Sequence, residues 1–226
     1  WTEINVPQRP FEIENVDTVT VPLAQSGYTT EYLRYRITIN DRPNETNYYR
    51  IVIDKQTTLW GYNHEEGGDD YIYWTKHSYN FIGREDVVLT DGQPTTGDDE
   101  DNGLFDTAKN IYGVFDDTRF RNTSYTMTVY NNTKIETGSD SGYFSGMDVI
   151  IRLMSITETE YYYLKALNLV DSDAYDETIN EPIKYPSNVH GGTGMVGIST
   201  EVTQTIHIIS SSHSKGNLAP PVHVYQ

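Results

Sequence analysis

Cysteine is absent from this 226-residue chain. Its absence excludes a disulfide framework, a thiolate zinc site, an iron–sulfur centre and a cysteine nucleophile. Basic residues are also scarce: 16 Lys and Arg stand against 33 Asp and Glu, for a formal charge of −17. Duplex nucleic acid needs a basic face that displaces condensed counterions, so no nucleic-acid partner is expected. No run of ~18 apolar residues occurs, so no helix is expected to cross a membrane. Nor does a basic-then-apolar leader open the chain, so any membrane attachment is expected from an upstream segment.

What is abundant favours strands. Nineteen tyrosines accompany only six phenylalanines, threonine is frequent and alanine is thin, the reverse of a helical bundle. From Tyr32 to Ile39, Leu33, Tyr35, Ile37 and Ile39 alternate with polar residues. After an Asn/Asp/Pro turn at 40–44, Tyr49, Ile51 and Ile53 alternate again. The two runs read as an antiparallel pair. Further alternation at Ser124–Tyr130, Met147–Leu153 and Glu201–Ile209 predicts sheets with one buried and one wet face. The expected fold is an all-β antiparallel sandwich, residues 1–226 forming one domain without internal repeats.

One helix is expected, near residues 158–169. Thr157 and Glu160 have the spacing of a capping box, each side chain satisfying the other residue's backbone N–H. Ile156 and Tyr161 form the matching hydrophobic staple. Tyr161, Leu164 and Leu167 then share one face, which is expected to pack over a sheet.

Motifs for chemistry are sparse. Asp98, Glu100, Asn102 and Gly103 match the start of a calcium loop, but the twelfth position is Lys109 where a bidentate glutamate is needed. The six histidines include no i, i+4 pair of the zinc-protease kind. Gly138-Ser139-Asp140-Ser141-Gly142 places aspartate where a nucleophile elbow needs serine. Ser212–Lys215 fits S-x-x-K without its companion motifs. The sequence therefore points to no catalytic residue, no metal and no cofactor. Trp60, Tyr62 and Trp74 stand out instead, in an aromatic-rich region with Tyr71 and Tyr73. They are the candidate contacts for a stacked sugar or a peptide; the alternative is that alternate members fill the core.

Several segments carry a resemblance. They are Asn47-Tyr48-Tyr49-Arg50, Glu85-Asp86-Val87-Val88-Leu89 and Val114-Phe115-Asp116-Asp117. Tyr161-Tyr162-Tyr163-Leu164-Lys165 and Ser187-Asn188-Val189 follow, then Gly191-Gly192-Thr193-Gly194-Met195-Val196-Gly197. In this order the chain resembles domain-of-unknown-function family 4249 of Bacteroidota lipoproteins. Val189 and Val196 stand where the family usually has isoleucine and phenylalanine. The resemblance implies a missing upstream part with a lipidated cysteine, and a lipid anchor on the surface or periplasmic face of the outer membrane. It also implies a neighbouring TonB-dependent transporter as partner.

The expected function is accordingly a non-enzymatic accessory to nutrient uptake that binds a ligand, glycan or peptide, or the transporter itself. A surface adhesion or assembly subunit is the alternative, and a glycan hydrolase a further one. Asp17-Thr18-Val19 and Asp106-Thr107-Ala108 also resemble this phylum's O-glycosylation motif.

Overall fold

A computed structural model describes residues 1–25, 28–63, 70–79, 81, 83, 86–92, 110–132, 143–171 and 183–208. The acidic loop at 98–103, the S-x-x-K motif, the 138–142 stretch and Asp106–Ala108 lie outside those residues. The described chain is an all-β sandwich with one short helix. Its three-stranded antiparallel sheet has the order β1 (Asn15–Gln25), β2 (Tyr28–Asn40), β6 (Ser124–Asn132). The other sheet has the order β4 (Asp70–Ser78), β3 (Tyr48–Asn63), β7 (Tyr143–Ile156), β8 (Thr200–Ile208). Short β5 (Val114–Asp116) also pairs with β3. The chain divides into a larger compact unit, residues 1–53, 80–133 and 151–204, and a smaller one, residues 54–79, 134–150 and 205–226.

In the larger unit the alternation of β2 has its expected consequence. Leu33, Tyr35, Ile37 and Ile39 are all buried, and Met127 and Val129 of β6 are buried beside them. The register puts Ile37 opposite Met127 and Tyr35 opposite Val129, so the pairs share one face. From β3 come Tyr49, Ile51 and Ile53, also buried. An aromatic series joins the two sheets: Tyr49 to Phe115 at 5.4 Å between centroids, Phe115 to Phe120 at 6.3 Å, and Phe120 to Tyr125 of β6 at 5.2 Å. Each fully buried apolar side chain contributes roughly 1.5–3 kcal/mol.

The expected pairing of the 32–39 run with the 48–53 run does not form. β2 already has a neighbour on each edge, β1 and β6, and the chain after Asn40 crosses to the other sheet. Buried polar groups hold that crossing. Asp41 accepts from the Asn122 amide at 2.8 Å, and Asp117 accepts from the Asn47 amide at 2.8 Å. The Asn47 side-chain nitrogen lies 3.4 Å from Asp41 and 3.1 Å from Asp117, bridging the two carboxylates. Burial pushes the Asp41 carboxyl above its ordinary value, with nearby Asp117 adding to the rise.

Helix α1 (Glu158–Val170) runs one residue past its expected end. The Glu160 amide donates to Thr157 Oγ1 at 3.2 Å, the first half of the capping box. The staple also forms: Ile156 and Tyr161 are buried in one cluster with Val114 and Leu164. The reciprocal half of the box is replaced, because the Glu160 carboxylate turns to the Ile198 amide.

Within the smaller unit, β3 and β4 make an antiparallel hairpin in which Trp60 pairs with Tyr73 and Leu59 with Trp74. Leu59 and Trp60 are both buried, as are Met147 and Val149 of β7. The sequence had not foreseen β1, β4 or β5 as strands.

Candidate functional site

Within the larger unit lies a cleft of about 410 Å³, walled by residues 3–8, 45–48 and 155–159 and by Asn188. That size suits a small ligand. Each wall has a local cause. β7 ends at Ile156 and α1 begins at Glu158, so the strand-to-helix junction forms the inner side. Residues 45–48 leave the turn held by the Asp41, Asn47 and Asp117 network. The N-terminal segment is held at both ends. Trp1 stacks on His190 at 4.2 Å and accepts its amide at 2.8 Å, while the Pro7 carbonyl accepts from Thr200 at 3.2 Å and Arg9 donates to the Glu201 carbonyl at 3.1 Å.

Its chemistry is polar and acidic. Glu3, Glu45 and Glu158 line it, and among the described residues no Lys, Arg or His does. Tyr48 donates to Glu158 at 2.9 Å, and its ring lies 4.9 Å from that of Tyr161. Burial, then the Glu158 carboxylate, raises the Tyr48 phenol above its usual value, so it remains a donor at neutral pH. Arg42 reaches Glu45 at 3.4 Å from outside the cleft. Ser155 continues the inward-facing series Val149, Ile151 and Leu153. It is 6% exposed and lines the cleft.

The aromatic residues singled out in the sequence lie in the smaller unit. Trp60 is 5% exposed and belongs to the core. Trp74 is half-buried, its ring covering Gly61: a Cβ there would be 3.2 Å from the indole. Because directly opposed residues share a face and neighbours alternate, Trp60 and Trp74 point to opposite faces of the hairpin. The two rings therefore do not form one platform. Tyr62 belongs to β3, and its side chain lies outside the described residues. Tyr73, expected as core in the alternative reading, is 46% exposed.

Histidines and acids form pairs rather than clusters. His77 Nδ1 lies 3.1 Å from both oxygens of buried Asp54, and His207 Nδ1 lies 2.7 Å from Asp148. Among the described residues no three such groups converge closely enough to hold a metal ion. The Thr18 hydroxyl, in the first O-glycosylation motif, is shielded from solvent in β1.

A family model for a domain of unknown function, DUF4249, matches residues 1–205. The chain belongs to that family. No curated protein matches it. In this DUF4249 chain the closing glycine-rich stretch has a physical explanation. Asn188 clamps Val196 through both side-chain atoms, donating to its carbonyl at 2.8 Å and accepting its amide at 2.9 Å. Ser187 accepts the Gly194 amide at 3.2 Å. Gly191 and Gly194 have φ of 80° and 134°, which side chains resist. The loop so shaped receives Trp1 and places Asn188 at the cleft.

Sequence reasoning missed Ser155, Glu158 and the N-terminal wall. Strand alternation continued to residue 155 would have marked the serine as inward-facing. The wall has no local signature, because extended segments 1–9 and 187–201 meet only in the fold.

Proposed function

We propose that this chain is a non-enzymatic binding module that holds a small ligand in the cleft beside α1. It serves as a lipid-anchored outer-membrane accessory to a TonB-dependent transporter, on the surface or periplasmic face. The observation that carries the binding reading is the cleft itself, with the carboxylates of Glu3, Glu45 and Glu158 in its wall. The outer-membrane and transporter parts rest on what the family resemblance implies, including its Bacteroidota setting. The non-enzymatic part is supported by the use made of the buried acids: Asp41, Asp86 and Asp117 each accept main-chain N–H groups and act as struts.

The test is recovery of the full-length lipoprotein from outer membranes under mild detergent. Co-purification of a TonB-dependent transporter, identified by mass spectrometry, supports the reading; recovery without one contradicts it.

One observation favours the adhesion or assembly alternative. Among the described residues β4 pairs only with β3, and its Ile72 and Tyr73 are exposed. An edge of that kind accepts a strand from another chain. Blocking by a peptide copied from a partner strand would separate this role from ligand binding.

A further inference from the structure

We infer that the N-terminal segment is a lid over the cleft, with a releasable latch at Trp1 and Thr2 and a fixed anchor at Pro7–Arg9. The inference rests on the binding reading above and concerns how a ligand enters the same cleft, one of whose walls is residues 3–8.

The two ends of the segment are held differently. At the anchor the Pro7 carbonyl accepts from Thr200, Arg9 donates to the Glu201 carbonyl, and Arg42 donates to the Arg9 carbonyl. Pro10 is buried just beyond, and the Arg42 guanidinium covers the Phe11 ring at 4.9 Å. Proline at positions 7 and 10 fixes φ there, so this end is stiff as well as tied. The latch lies at the surface. Trp1 is 74% exposed, exchanges two main-chain hydrogen bonds with His190, and stacks its ring on that exposed imidazole. Thr2 donates to the Asn188 carbonyl. Of the four residues between the ends, Ile4 alone is half-buried. Glu3, Asn5 and Val6 are exposed, so lifting the lid uncovers little apolar surface.

The socket that receives the latch is an independent observation, because it is built to stand without it. Asn188 clamps Val196 at two points and Ser187 accepts the Gly194 amide, all within the loop itself. Gly191 and Gly194 hold positive φ values that side chains resist. The loop therefore keeps its shape when Trp1 leaves. Water replaces the hydrogen bonds that Trp1 and His190 give up, since both residues are exposed. The facing walls lack this freedom. Asn47 is tied to buried Asp117 through its amide at 2.8 Å, and Ile156 is packed with Val114, Tyr161 and Leu164. Movement is thereby assigned to the lid.

The chain holds no cysteine, so two introduced ones report alone. The experiment is pulsed electron–electron double resonance between spin labels on Asn5→Cys, in the lid, and Tyr162→Cys, at an exposed position of α1. Gln8→Cys paired with Tyr162→Cys is the reference, taken at the anchor. The lid pair is expected to give two distances and the reference pair one. His190→Ala removes the ring stack and is expected to raise the ratio of the longer to the shorter distance roughly two- to tenfold. Circular dichroism verifies that each variant is folded.

A single distance for the lid pair, or populations that His190→Ala leaves unchanged, overturns the inference. A second distance in the reference pair also overturns it, because the whole segment would then detach rather than turn on its anchor. The distances are read without ligand and so stand apart from the binding reading. A lid that opens over a cleft binding no peptide or oligosaccharide contradicts that reading alone; ligand binding behind a lid pair fixed at one distance contradicts the lid alone.

Discussion

Asp86 accepts the backbone N–H of Thr128 at 2.8 Å, from a loop that lies against the outer edge of β6. The same carboxylate takes the Tyr125 hydroxyl at 3.1 Å and the amides of Val88 and Leu89 at 3.0 and 3.2 Å. A strand edge that would otherwise offer a bare donor is thereby closed by a buried acid.

Every group facing Asp86 is a donor, which makes the position sensitive to more than size. Asp86→Ala should cost about 3–5 kcal/mol by leaving buried donors without an acceptor. Asp86→Asn should also destabilise markedly, since its NH₂ would point a donor at donors. Urea unfolding measures both. An Asn variant as stable as the parent would contradict the assignment.

Gly113 accepts the Ile51 amide through its carbonyl at 2.8 Å and has φ of 65°. A Cβ there would lie 2.3 Å from the Ile51 carbonyl oxygen, main chain that cannot step aside. Gly113→Ala is expected to cost roughly 3 kcal/mol. Gly197→Ala brings its Cβ within 2.7 Å of the Glu160 carboxylate, the movable end of a side chain, and should cost less. Thermal or urea unfolding of the two variants checks the order.

Glu160 titrates above an ordinary glutamate because burial outweighs the lowering effects of Arg50 and the Ile198 amide. The folded chain then binds this proton to higher pH than the unfolded chain does. The group therefore costs stability as pH rises from the unfolded value, ~4.3, through the folded one. Glu160→Gln should melt above the parent at pH 7, with the gap closing below the unfolded value. A gap that persists or widens in acid would reverse the sign.

Trp60 and Tyr73 are paired across the β3–β4 hairpin yet differ in exposure, 5% against 46%. Trp60→Ala should cost about 3–5 kcal/mol as a core deletion. Tyr73→Ala should stay within about 1 kcal/mol. Comparable losses would mean that Tyr73 is as structural as Trp60.

Strand alternation made much of the fold legible. Tyr32–Ile39 and Met147–Leu153 lie within strands in which the residues the pattern marked as inward are buried, although Tyr32, on the other face of its strand, is buried as well. The helix was legible from Thr157 and the Ile156–Tyr161 staple, which are local signals. Pairing was not legible. A turn such as 40–47 does not reveal whether it returns along the same sheet or crosses to the other, and Asp41 and Asp117 decide that from 76 positions apart. Tryptophans suggested a surface because they are rare and aromatic, but exposure depends on which face of β3 is covered. The cleft depends on contacts such as Trp1 with His190, between segments at opposite ends of the described chain.

The most direct test of the cleft as the ligand site is backbone amide shift mapping of the chain titrated with short peptides and oligosaccharides. Perturbations should cluster at Tyr48, Ser155, Thr157 and Glu158. Shifts centred on β4 or absent from the cleft residues would contradict the account.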